Sequence, residues 1–188
     1  MDPFSYLTVL ISIILGLGIT HLLSGLGRVL QGRGHVRSYG PSIAWIVLLL
    51  VIHVQTWWAL FGLRSFQRWS FLAFVVVLLQ PIVLYLLAAL VVPAENAGAV
   101  IDLRDNYYAQ ARSFFGLTVL LLVVSLTRDL VIAGHLPGPL NLTMHGLFFV
   151  AWGAAMFTKR EWYHRALVVY TSVLMVAYIA VLFRYLPQ

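Results

Sequence analysis

Cysteine is absent from the chain. That excludes disulfides, thiolate metal sites and Fe–S ligation, together with palmitoyl, prenyl and lipoprotein anchors. Acid is scarce as well: Asp2, Glu95, Asp102, Asp105, Asp129 and Glu161 are the whole supply. Centres built from several clustered carboxylates therefore lack their ligands. Charged residues make up 10% of the sequence, against roughly 25% in an average soluble domain. No run of like charge forms a nucleic-acid footprint. Serine-protease, aspartyl-dyad and zinc-protease motifs do not occur, and no Gly-rich phosphate loop precedes a helix. A soluble-style active site is not expected.

What the chain has in quantity is apolar surface. Of its 188 residues 62% are hydrophobic, and the mean hydropathy is +0.93. A helix needs ~20 apolar residues to cross ~30 Å of hydrocarbon. Six segments meet that length, at about 4–27, 42–63, 70–92, 112–133, 139–158 and 162–186. The stretches between them are short, and none is long enough for a soluble domain. Helices close their hydrogen bonds within each segment, and the period-2 alternation of a barrel strand is missing. The expected fold class is an all-α integral membrane protein, a bundle of six transmembrane helices forming one domain over residues 1–188. The start, Met1-Asp2-Pro3, has no basic n-region, so it reads as a permanent first helix and not a signal peptide.

Orientation follows from the placement of Lys and Arg. One side collects Arg28, Arg33, Arg37, Arg104, Arg112, Lys159, Arg160 and Arg165, and the other Arg64, Arg68, Arg128 and Arg184. The richer side should be cytoplasmic, which places both termini outside. The net charge of +6 then reads as attraction to anionic lipid and not to nucleic acid. Asp102-x-x-Asp105 has the form of a helix start, with negative charge over a first turn that runs through Tyr107 and Tyr108 toward span four. The chain also divides three plus three, and a half-length shift brings Trp69 onto Trp162 and Tyr85 onto Tyr178, although spans one and four do not align.

Polar side chains at bilayer depth are costly, so each is a candidate for function. His21 falls in span one, His53 and Gln55 in span two, Gln80 in span three and Ser125 in span four. They would converge if spans one to four surround a common pocket, giving a route for an ion or small solute lined by His21, His53, Gln55 and Gln80. His53 and Gln55 point to different helix faces, with Thr56 nearer the His53 side. Arg128 and Asp129 lie in the outer part of span four and would act near the mouth. Being sequential they diverge by ~100° and are not expected to pair simply; Arg184, His135 or Arg68 could reach Asp129 instead. The alternative for all of these residues is structural, since interhelical polar contacts are worth about 0.6 kcal/mol on average. Gln80-Pro81 reads as a kink in span three. Gly16, Gly18, Gly25 and Gly27 make span one a close-packing helix. Gly146 and Gly153 repeat that theme in span five, and one of these surfaces suits a second subunit in a homo-oligomer.

Two cofactor readings arise from the histidines. His21 and His53, with His145 as a substitute, have the type and placement to ligate a b-type haem across a bundle, although no helix carries a spaced histidine pair. The same three could hold a metal ion, but no carboxylate lies near them, and the leading expectation is that no cofactor or metal is bound. An electron-transfer protein or a non-catalytic membrane scaffold thus stands beside the channel- or transporter-like reading, and enzymatic activity is not expected.

GLGITHLLSGLGR (16–28), HVQTWWAL (53–60) and DLRDNYYAQARSFFGL (102–117) together resemble a family of small bacterial multi-pass membrane proteins. The resemblance covers most of the chain. It implies a bacterial inner-membrane location and six helices, and it carries no activity, substrate or catalytic residue.

Overall fold

A computed structural model describes residues 3–32, 36–93 and 101–182. Among these residues the chain forms six helices: α1 (Pro3–Gln31), α2 (Gly40–Leu60), α3 (Phe71–Val91), α4 (Leu103–Ala133), α5 (Pro139–Ala155) and α6 (Glu161–Leu182). A 3₁₀ turn, Phe61–Ser65, prolongs α2. Five of the six are long and apolar enough to cross a membrane. The exception is α5, with 17 residues where the sequence predicts a span over 139–158. At 1.5 Å per residue it covers about 25 Å, less than the ~30 Å of a typical hydrocarbon core.

Local chemistry explains where the helices begin and end. Pro41 occupies the first turn of α2, where its missing N–H costs nothing. The Ser70 hydroxyl accepts from the Ala73 amide at 3.1 Å and caps α3. The Asp102 carboxylate accepts from the amides of Arg104 and Asp105, at 2.9 and 3.1 Å. That cap starts α4 nine residues before the apolar run at 112 and gives a helix of 31 residues. Gly134 ends α4 with φ +76°, a left-handed conformation that a side chain would oppose. Pro81 is buried within α3, and the helix continues through it from Phe71 to Val91.

The sequence predicts helices alone, yet two short strands are present. β1 (Val36–Arg37) pairs in parallel with β2 (Ile101–Asp102), Val36 opposite Ile101 and Arg37 opposite Asp102. This clasp ties the entrance of α2 to the entrance of α4. Ser42 reinforces it by donating to the Leu103 carbonyl at 3.0 Å.

Successive helices run up and down. α3 packs most extensively, against α4 on one side and α1 on the other. α5 lies on α4, and α6 bridges α5 and α2. α1 presents Leu7, Ile11, Leu15, Gly18, Leu22 and Gly25 in one row, spaced four, four, three, four and three, which keeps them on a single helix face. The four leucine and isoleucine side chains of that row are fully buried. A side chain at 18 would collide with the His53 imidazole, and one at 25 with Val92. Gly16 and Gly27 lie off the row, with open space where a Cβ would stand. Further across the bundle Trp45, fully buried, meets Phe114, Phe115 and Trp152 edge-on at 5.1, 5.6 and 6.1 Å between ring centroids. Those rings join α2, α4 and α5 in the geometry that aromatic quadrupoles favour.

Candidate functional site

Five helices each bring a polar side chain to one partly open cavity of about 60 Å³. Gln55 and Thr56 come from α2, Gln80 from α3, Ser125 from α4, His145 from α5 and Tyr178 from α6. Their depths agree. Along its own helix each lies about 6–14 Å from the end nearer Arg64, at 1.5 Å per residue. The volume matches roughly two water molecules at ~30 Å³ each.

The hydrogen-bond directions define what the cavity offers. His145 Nδ1 lies 2.9 Å from the Asn141 carbonyl one turn back, so it carries the proton and donates. His145 Nε2 is left as an acceptor, 3.4 Å from the Ser125 hydroxyl. The Gln80 Oε1 accepts from Arg128 Nη1 at 3.0 Å, which leaves the Gln80 NH₂ as a donor beside the cavity. Thr56 Oγ1 is buried and has no partner among the described residues. The cavity therefore offers both donors and acceptors to a species the size of an ion or a few heavy atoms.

Next to it Arg128 and Asp129 form an ion pair. Asp129 Oδ1 accepts from Arg128 Nη2 at 2.8 Å and from Nε at 3.1 Å, with the two side chains 17% and 22% exposed. This corrects the expectation that the two would not pair. The helix separates their Cα–Cβ directions, but the arginine stem is long enough to fold back, and its fork presents several donors at once. One edge of the guanidinium takes Asp129 and the other reaches α3 at Gln80. Arg184, one of the alternative partners, lies outside the described residues, as does Arg33 of the basic group.

The structure sorts the other candidates differently. His53 is fully buried and level with the cavity, but it faces α1: its Nδ1 donates to the Leu49 carbonyl at 2.7 Å, and the ring lies against Gly18. His21 is half-buried on α1, its Nε2 enclosed without a partner among the described residues. Neither lines the cavity. His53 and Gln55 do diverge, while Thr56 lies with Gln55 and not with His53. The three histidines read as haem or metal candidates thus have three separate surroundings. Among the described residues no group of three or more metal-ligating side chains comes together.

Sequence reasoning missed a second buried cluster, at the opposite end of the bundle. His164, fully buried at the start of α6, donates from Nε2 to the Thr158 carbonyl at 2.9 Å. Its Nδ1 then accepts from the Tyr107 hydroxyl, also at 2.9 Å. Tyr39 and Tyr108 share a hydrogen bond of 3.0 Å beside them. Burial and that neighbouring hydroxyl hold the Tyr39 phenol above its ordinary range. Glu161 joins Arg104 and Arg165 at 3.1 and 2.6 Å over this layer. The spacing of Tyr107 and His164, 57 residues apart, gives no local signal for the contact.

Compared with protein-family models, with curated proteins and with solved structures, the chain has no match in any of the three.

Proposed function

We propose that the protein spans a bacterial inner membrane and passes a small ion or small polar solute through the cavity shared by α2 to α6. The observation that carries this reading is the convergence of polar side chains from five apolar helices on one space. Structural glue needs two helices per contact, and each buried hydrogen bond formed that way is worth little. Here Thr56 and Gln55 make no protein hydrogen bond among the described residues. An unsatisfied polar group at membrane depth costs several kcal/mol. A species that enters the cavity would satisfy them.

Gln55, Gln80, Ser125 and His145 are the residues assigned to hold that species. Arg128 and Asp129 fix the Gln80 amide so that its donors face inward. His21 and His53 drop out of the route. The small volume suits a carrier that holds one small species better than a wide pore. The basic residues Arg37, Arg104, Lys159, Arg160 and Arg165 belong to the end that carries Tyr39, which supports a cytoplasmic placement of that end and an outward placement of both termini. Association into a homo-oligomer goes with the same reading. The open Cβ positions at Gly146 and Gly153 leave α5 a close-approach surface of its own.

The test is flux. Purified protein in vesicles of phosphatidylethanolamine and phosphatidylglycerol would be challenged with protons, monovalent ions and small neutral solutes, read by internal dyes and by light scattering. Faster equilibration of at least one species than in empty vesicles is the expected result. Equal rates for the whole panel would overturn the proposal.

A further inference from the structure

A lateral groove of about 650 Å³ runs between α2 and α6. Its walls are apolar, with Leu50, Val51 and Val54 on one side and Ile179 and Ala180 on the other. The volume lies within the ~300–1,000 Å³ typical of small-molecule sites. Two wall residues break the pattern: Trp58, whose buried Nε1–H has no partner among the described residues, and Gln55. Gln55 lines this groove and also the polar cavity behind it. Its carboxamide has two donor hydrogens and an acceptor oxygen. Among the described residues none of them has a protein partner, and the side chain is only partly buried.

We propose that the groove binds an uncharged, lipid-soluble molecule whose hydroxyl or carbonyl head group hydrogen-bonds to Gln55 while its hydrocarbon body lies along α2 and α6. The inference rests on the chain being membrane-embedded and not on the passage of a solute. Gln55 is five residues from the end of α2, about 7.5 Å along the axis, so in a membrane-embedded chain this wall of the groove lies below the interface. A charged head group would have to leave the interface to reach that depth, whereas an uncharged one dissolves there. A second copy of the chain fits less well. Across a two-fold axis each patch meets itself. Gln55 is less exposed than Val51 and Val54 beside it, which are 38% and 58% exposed, so the valines would hold two such amides apart. A thin chain can follow a concave floor.

The experiment uses the full chain in the same phospholipid vesicles with two photoactivatable probes. One is a long-chain alcohol with a mid-chain diazirine; the other is the matching alkane without the hydroxyl. Adducts are located by peptide mass spectrometry. The alcohol probe is expected to label residues 50–58 and 179–180 above the rest of the bundle, and unlabelled long-chain alcohol to compete. Gln55→Leu should reduce that labelling roughly three- to tenfold, as one neutral hydrogen bond implies, and leave the alkane probe unchanged. Val54→Trp, which fills the groove from an exposed position, should reduce labelling by both probes. Uniform labelling around the bundle would mean ordinary boundary lipid and would overturn the proposal. So would an unchanged alcohol signal in Gln55→Leu, or a disulfide between copies through Val54→Cys. Labelling is read without any flux, so its failure and the failure of solute passage are separate results.

Discussion

Gly18→Ala is the sharpest structural perturbation, because Gly16→Ala two residues away supplies its control. Both positions lie inside α1, so each alanine gains the same intrinsic helix stability, roughly 0.8–1 kcal/mol over glycine. Their surroundings differ. Position 16 has nothing within 4 Å of a new methyl group, whereas position 18 faces the His53 imidazole at a distance no real Cβ tolerates. His53 cannot swing away freely, since it is fully buried and its Nδ1 is tied to the Leu49 carbonyl. Overpacking of a filled site costs typically 1–3 kcal/mol. Gly16→Ala should therefore be neutral or slightly stabilising, and Gly18→Ala should fall below it by about 1–3 kcal/mol. Thermal unfolding in detergent micelles, followed by loss of near-ultraviolet dichroism, reads the difference. The double variant Gly18→Ala/His53→Ala removes the opposing ring and should recover part of the loss relative to His53→Ala alone. Equal stability of the two single alanine variants would refute the reasoning, for it would mean that α1 does not pack on α2 through this row.

Other outcomes follow from the same geometry. Arg128→Met leaves Asp129 and Gln80 without their donor and should destabilise by about 2 kcal/mol or more, with Arg128→Met/Asp129→Asn less harmful than the single change; the same unfolding assay decides. Asp102→Ala removes the cap of α4 and should cost about 1 kcal/mol, with amide exchange rising first at residues 103–106. Tyr107→Phe deletes the hydroxyl that donates to His164 and should cost about 1–2 kcal/mol, read in thermal unfolding. Tyr39 supplies a pH dependence. Its folded phenol titrates above the unfolded value, so its contribution is complete below pH ~10 and is lost as pH rises toward the folded value. Unfolding scans should show stability falling in strongly alkaline solution, and Tyr39→Phe should flatten that fall.

Much of the fold is legible in the residues, because apolar runs of about 20 and Gly- or Pro-bearing breaks set helix number and order almost without tertiary help. The Asp102 cap is equally local. What stays hidden depends on which helices become neighbours. Gln55, Gln80 and Ser125 do share a pocket, but its remaining walls are α5 and α6 and not α1, so His145 and Tyr178 join it while His21 and His53 do not. His145 is six residues into α5 and Ser125 eight from the end of α4, about 9 and 12 Å from the same side of the bundle. What the residues leave open is that α5 packs on α4 with these two side chains facing each other. The Arg128–Asp129 pair is hidden for a different reason: helix periodicity describes Cβ directions, and a long guanidinium stem escapes that rule. His164 falls at a tight basic turn, where a histidine looks like an interfacial residue, and only the packing of Tyr107, Tyr108 and Phe115 of α4 around its ring buries it.

The polar cavity is either a place where something binds and passes or a knot that holds five helices together, and one comparison separates these most directly. Flux of the species that the wild-type protein admits would be measured in vesicles for Gln80→Leu, His145→Phe and, as a control outside the cavity, His53→Phe, each checked for native-like unfolding. The cavity reading predicts at least a tenfold loss in the first two and near wild-type flux in the third. Wild-type flux in both cavity variants, with the protein intact, would contradict it.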